Sequence, residues 1–220
     1  MENQLDILSQ KYNTDKKSSV HNYTETYWSI FKDKQYSVKN FLEIGVLNGS
    51  SVSVWNDFFT NANICAVDIN PNCKNFERDR IKISIGPQED HDFLKKEFLD
   101  KGISFDYIID DGSHISRHQI SSFEFLFDKC LNKGGLYIIE DTCCSYWDSH
   151  EGSLNKKGTC IEYFKDKVDE INFYGFCKNN ILDRNNTYLL NNYPNPTIFQ
   201  KQIKSISFLN SLIIIEKQNN

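Results

Sequence analysis

Four acids and one histidine stand at spacings that could do chemistry. In FDYIIDDGSH the apolar run 107–109 ends in Asp110 and Asp111, with His114 soon after; in GGLYIIEDT the run 136–139 ends in Glu140 and Asp141. Apolar runs this short, the first of them closed by a glycine, read as buried strands of a parallel sheet. Ligands of open α/β sheets bind just past the carboxyl ends of the strands. The four acids would therefore crowd one rim, beside His114. Acids packed that closely repel and shift one another's pKa unless a cation sits among them. The pattern is that of a metal site with a base beside it.

The chain that must position these groups has 220 residues, enough for one large domain or one domain with a small appendage. At that size roughly 70% of the unfolded chain's surface can be buried, so no covalent staple is required. A net charge of −5 with no basic stripe argues against a nucleic-acid partner. The seven cysteines are odd in number, scattered, and free of any C-x-x-C pair, which disfavours structural zinc and fits reduced thiols. The opening MENQLDILSQ has no apolar signal core and no apolar run reaches membrane-spanning length. These features predict a cytoplasmic protein without a membrane span; homo-oligomerisation stays open.

In chain order, residues 4–12 carry a helical pattern. A polar loop over 14–23, with His21 and several hydroxyls, leads into an aromatic-rich helix around 23–31. That helix could pack on the sheet or cover the site. FLEIG is the first core strand, followed by a glycine loop and a helix over 52–59, the layout of a nucleotide-cofactor site. Gly45 and Gly49 do not give the G-x-G-x-x-G spacing of a dinucleotide fingerprint. The next strand, 63–67, ends in Asp68, placed to accept both hydroxyls of a ribose. A short strand over 80–85 precedes Gln88, which could read an adenine edge; Glu89 and Asp90 suit the N-terminus of a helix over 92–101. Ile120, Phe123, Phe127 and Leu131 fall at helical spacing and are core. His114 and His118 share an i, i+4 spacing, but with no Glu between them they make a weak zinc motif. Asn132 to Gly135 closes that helix and starts the next strand. TCCSYW should line the site mouth, 148–158 forms a polar loop, and a helix runs over 160–171. The Asn-rich stretch 174–200 takes no assignment beyond a candidate cover, and 204–208 with 212–216 form a terminal hairpin.

Taken together, KYNTDK, FLEIGVLNGSS, FDYIIDDGSHISRHQ, FLFDKCLNKGGLYIIEDTCCSYW and SLIIIEK resemble the class I S-adenosylmethionine (SAM) methyltransferases, in particular the metal-dependent sugar O-methyltransferases of the mycinamicin and macrocin type. Related sequences carry the label cephalosporin hydroxylase-like. The resemblance spans nearly the whole chain. Two positions depart from the family pattern: Asn13, where glycine is usual, and Pro87, where an acid is common. It implies a Rossmann-like α/β fold, a mostly parallel seven-stranded sheet with an antiparallel last strand and helices on both faces. Residues 1–220 would form one methyltransferase domain, with 1–36 a helical cover and 37–220 the core.

The resemblance further implies Asp111, Glu140 and Asp141 as ligands of Mg²⁺ (or Mn²⁺), with His114 as general base. Glu43, Gly45, the loop to Ser50, Asp68 and Gln88 would hold SAM. The acceptor would be a sugar hydroxyl of a glycan or glycosylated metabolite. All-oxygen ligands independently suit a hard cation. An alcohol is a poor nucleophile at neutral pH, which is why both cation and base are required. The alternatives are a catechol or phenol O-methyltransferase, where lysine is the commoner base, and a non-catalytic SAM-binding module. An iron hydroxylase would need a second histidine at the metal, a place only His118 could fill.

Overall fold

A computed structural model describes residues 2–172 and 197–219. Seven strands form one sheet in the order β3-β2-β1-β4-β5-β7-β6. They are β1 (Asn40–Ile44), β2 (Asn63–Asp68), β3 (Ile81–Ile85), β4 (Phe105–Asp110), β5 (Leu131–Ile139), β6 (Ile203–Leu209) and β7 (Leu212–Lys217). The first five run parallel, while β7 is antiparallel to both β5 and β6. This is the expected sheet, including its antiparallel last strand. The helices are α1 (Gln4–Lys11), α2 (Tyr23–Phe31), α3 (Ser50–Phe58), α4 (His91–Leu94), α5 (Ser116–Lys129), α6 (Cys160–Ile171) and the short α7 (Ile198–Gln202).

Alternation along the strands explains the two cores. Successive strand residues face opposite sides, so Phe41, Ile109 and Ile138 join one apolar cluster, while Leu42, Ile108 and Ile139 join the other. The first cluster is closed by Leu5, Tyr27, Phe31, Trp55 and Phe59 from the amino-terminal side. The second is closed by Leu94, Phe123, Phe127 and Phe164 from α4, α5 and α6. Helix α2 is thus a packing helix: Tyr27 and Phe31 have no exposed surface, and Phe31 meets Tyr107 edge-on at 4.9 Å. Burying a ring of that size contributes about 1.5–3 kcal/mol.

Two local expectations change in detail. The helix expected over 92–101 is present but changes pitch: α4, capped by the Asp90 carboxylate on the Asp92 and Phe93 amides, runs directly into a wider π-helical turn over Lys95–Leu99. The wide turn seats Phe98 against Phe105 at 5.1 Å. The segment from Asn132 to Gly135 starts the next strand as expected, β5 beginning at Leu131, while α5 has already closed at Lys129. There the Asn132 amide donates to Asp106 and Gly134 takes φ +73°, which absorbs a register shift against β4. Lys217, from the last strand, closes α5 by donating to the carbonyls of Phe127, Asp128 and Leu131. Among the described residues no helix is long and apolar enough to cross a membrane. Of the candidate cover 174–200, residues 174–196 lie outside the described residues.

Candidate active site

Strand order reverses between β1 and β4, and the carboxyl ends there open a crevice, the usual ligand position in such sheets. Gly45 makes the approach possible. It takes φ +93°, its amide donates to the Val67 carbonyl, and a Cβ there would stand 2.0 Å from the Asp111 carbonyl oxygen. Only glycine fits that position. The cavity beyond has a volume of about 640 Å³, within the range of small-molecule sites. Gly45, Ser50, Asp68 and Gln88 line it, together with Asn13 to Lys16 from the amino-terminal loop and Asp111, His114 and Asp141 at its mouth. Asn13 takes φ +56°, the left-handed conformation that glycine or asparagine tolerates best, which accounts for the exchange against the family's glycine.

The sequence-predicted cofactor residues divide into two kinds. Asp68 stands in the cavity wall, where its Oδ2 accepts from the Val46 and Leu47 amides at 2.8 and 3.1 Å and Oδ1 from Asn70 at 2.8 Å. Burial raises its pKa, but these backbone donors win and hold it below the usual carboxylate value. Gln88 also lines the cavity, yet its amide is engaged by Asp110 and Ser122 and its carbonyl by the Ser113 amide. Glu43 does not line the cavity. Fully buried, it accepts from Ser51 Oγ at 2.8 Å and Trp55 Nε1 at 3.0 Å, buttressing α3 behind the glycine loop. Burial pushes its pKa up to about 7, against the opposing charge of Lys16.

At the mouth, Asp111, His114 and Asp141 place one ligating atom each within 4.8 Å of one another. His114 Nε2 lies 3.9 Å from Asp111 Oδ1 and 3.6 Å from Asp141 Oδ2. Among the described residues neither of these oxygens has a hydrogen-bond donor, whereas Asp111 Oδ2 is taken by Lys16 and Asp141 Oδ1 accepts from Tyr23 OH at 2.6 Å. His114 and Asp141 both adopt left-handed backbone, φ +55° and +51°. Such strain costs about 1–3 kcal/mol per residue and persists where the surroundings impose it. His114 Nδ1 is buried without a partner. Two uncommitted carboxylate oxygens facing one imidazole nitrogen fit a hard divalent cation.

Glu140 is not in that cluster. It is 1% exposed, its Oε1 accepts from Tyr27 OH at 2.5 Å, and its Oε2 accepts from Lys16 Nζ at 2.7 Å. Burial, with Asp111 beside it, pushes its pKa well up. Sequence reasoning missed Lys16, Tyr23 and Tyr27, although KYNTDK and an i, i+4 tyrosine pair were there to be read. His118 does not reach the cluster either. Its Nδ1 meets Ser113 Oγ at 2.9 Å and its Nε2 lies 3.4 Å from Glu89. Beyond Asp141, none of Thr142 to Trp147 lines the cavity, against expectation; Trp147 packs edge-on to His150 at 5.7 Å, and it is His150 that lies 6.4 Å from His114.

No family model matches the chain. It is 32% identical over 180 residues to L-olivosyl-oleandolide 3-O-methyltransferase of Streptomyces antibioticus, covering 77% of this chain and 46% of that protein. It is 34% identical over 177 residues to mycinamicin VI 2''-O-methyltransferase of Micromonospora griseorubida, covering 76% and 44%. The structure matches the MycE methyltransferase of the mycinamycin pathway, solved with Mg, SAH and mycinamycin VI. That match has a TM-score of 0.80 and 28% identity, covering 98% of this chain and 54% of that one. The chain spans about half the length of these relatives. With the cavity at the strand-order reversal, the acids on its rim and these likenesses together, the chain is a class I methyltransferase by fold, and its homologues are sugar O-methyltransferases.

Proposed function

We propose that this chain is a methyltransferase domain that moves the methyl group of SAM to a sugar hydroxyl with the help of Mg²⁺ or Mn²⁺. The observation that carries the reading is the convergence of Asp111 Oδ1, Asp141 Oδ2 and His114 Nε2 at the mouth of a cavity walled by Gly45 and Asp68. The family likeness and the Mg and SAH bound by MycE support it. Residues 1–36 act as the cover and 37–220 as the core.

Within this reading the glycine loop from Gly45 to Ser50 cradles the cofactor, Asp68 takes its ribose, and Gln88 holds the adenine-side wall in place through Ser113. Glu43 acts from behind, through Ser51 and Trp55. Asp111 and Asp141 would hold the cation, with Glu140 beside Asp111; when bound, the cation supplies Lewis acidity to a hydroxyl. His114 Nε2 takes the hydroxyl proton as the oxygen–methyl bond forms. The sulfur–methyl bond breaks with its electron pair going to sulfur, so the sulfonium leaves as a neutral thioether. A positioned base of this kind contributes roughly 10²–10⁴-fold. Deprotonating an aliphatic alcohol is a harder task than deprotonating a phenol, so a base such as His114 would need the cation beside it.

The test is incubation with isotopically labelled SAM, Mg²⁺ and a panel of nucleotide-linked and glycan-bound deoxysugars, with catechols as a parallel set. Label transferred to a sugar oxygen is the expected result. Transfer to catechols alone would replace the acceptor class, and SAM binding without transfer to either set would leave a binding module.

A further inference from the structure

Lys16 is an unusual neighbour for a cation site. Its side chain is only 3% exposed, and its ammonium bridges Asp111 Oδ2 and Glu140 Oε2. It belongs to the loop whose residues Asn13 to Lys16 form one wall of the cofactor cavity. Elsewhere that loop is held largely by its own backbone and by exposed contacts. Thr14 N donates to Ser9 O and His21 N to Asp15 O, each at 3.0 Å, and Ser18 N donates to Asp6 at 2.7 Å. Between α1 and α2 the one deeply inserted charged side chain is that of Lys16.

The two acids it joins are not both needed by Lys16 alone. Asp111 uses one oxygen for Lys16 and turns the other toward Asp141 and His114. Glu140 has its second oxygen on Tyr27. An ammonium and a divalent ion can therefore sit on opposite sides of the Asp111 carboxylate. Holding a buried ammonium requires partners of opposite charge, because desolvating it alone costs several kcal/mol. The loop is thus tied to the catalytic rim by a bond that has no substitute within the loop.

We propose that Lys16 is a positioning residue that latches the amino-terminal loop, and with it one wall of the cofactor cavity, onto Asp111 and Glu140, and that it stays in place when a divalent cation binds. The cofactor part rests on the SAM reading above; the latch itself does not. Asp111 then serves both the cation and the closed cavity wall.

The experiment follows amide hydrogen exchange of residues 13–22 in wild type, Lys16→Met and Lys16→Arg, with chelator or Mn²⁺, alongside calorimetry with S-adenosylhomocysteine in chelator. Lys16→Met should exchange at least tenfold faster in this loop and bind S-adenosylhomocysteine about tenfold more weakly, with Lys16→Arg restoring part of both. Loop exchange and affinity equal to wild type would overturn the latch. No S-adenosylhomocysteine binding even in wild type, with fast loop exchange in Lys16→Met, would sink the cofactor reading and leave the latch standing. If Lys16→Met does not fold, lysine acetylation of wild type decides. Lys16 should react at least tenfold more slowly than Lys11, whose side chain is 57% exposed, both with and without Mn²⁺. Equal reactivity, or release of Lys16 when Mn²⁺ binds (itself followed by electron paramagnetic resonance), would show an ammonium that merely fills the ion's place, and the proposal would fall.

Discussion

The two acid pairs at the ends of β4 and β5 look alike in sequence and behave differently in the fold. Each is an apolar strand end followed by one inward and one rim acid. Asp110 follows the parity of Ile108 and faces the α5 side, where Gln88 donates at 3.0 Å and Tyr137 OH at 3.1 Å. Its partners are neutral, and burial pushes its pKa up to about 6. Glu140 follows the parity of Ile138 and faces the amino-terminal side, where it meets Lys16 and Tyr27. The offset arises from register: Asp110 pairs with Ile139, so Glu140 extends one residue further and Asp111 falls on Glu140's side. One pair is a buttress against α5 and a rim acid; the other is an anchor for the amino-terminal loop and a rim acid. What an acid does here is decided by which face its strand position selects.

At the rim the two acid pairs are equivalent, each presenting one oxygen to His114 Nε2. Asp111→Asn and Asp141→Asn should each remove Mn²⁺ binding and lower methyl transfer by roughly 10³-fold or more, the several kcal/mol a bound cation supplies. Electron paramagnetic resonance and turnover together check this; retention of tight Mn²⁺ binding by either variant would remove that acid from the site. Next in size is the residue between them. His114→Ala should keep Mn²⁺ and SAM bound while turnover drops roughly 10²–10⁴-fold, with His118→Ala doing far less. Release of Mn²⁺ on loss of His114 would instead make the imidazole a ligand, since its Nε2 already stands beside both rim oxygens.

Much of this was legible before any coordinates. The strand alternation, the glycine loop, the acids at strand ends and the terminal hairpin are local patterns, and each maps onto its element. What the sequence concealed was long-range. Lys16 lies 124 positions from Glu140, and Tyr23 lies 118 from Asp141; no periodicity links them. Glu43 sits beside the glycine loop yet faces Trp55, because its strand position turns it toward α3 and away from the cavity. The change of helical pitch after α4 was hidden for another reason: the packing of Phe98 against Phe105 overrides local propensity.

The inward acids offer the next contrast, in stability. Glu140→Gln leaves Lys16 with half its counter-charge and should cost about 1–3 kcal/mol in denaturant unfolding. Asp110→Asn keeps an acceptor for Gln88 and Tyr137 and should cost less than about 1 kcal/mol. Equal losses would mean that both inward acids are simple hydrogen-bonding buttresses and that Lys16 contributes nothing through Glu140.

Asp68, the acid at the end of β2, sharpens the comparison at its smallest scale. It is held by three backbone amides and no cation. Those donors stabilise the charged form, so its pKa lies below the ordinary value of 3.8, opposite in direction to Asp110. The sign follows from linkage. A carboxylate whose pKa is lower in the folded state adds stability that is fully present above its unfolded value and is lost as pH falls through the folded one. Thermal unfolding of wild type and Asp68→Asn should therefore differ at pH 6, with wild type the more stable. The gap should be unchanged down to about pH 5 and close as pH falls below the ordinary carboxylate range and wild type is protonated in the folded state. An asparagine keeps one acceptor but not the charge, so the gap reports the charge-assisted part of the bonds, on the order of 1 kcal/mol. A gap that stayed constant through pH 2 would mean that the loop is held by shape alone, and the case for Asp68 as an ionised, pre-oriented acceptor for a ribose would fail with it.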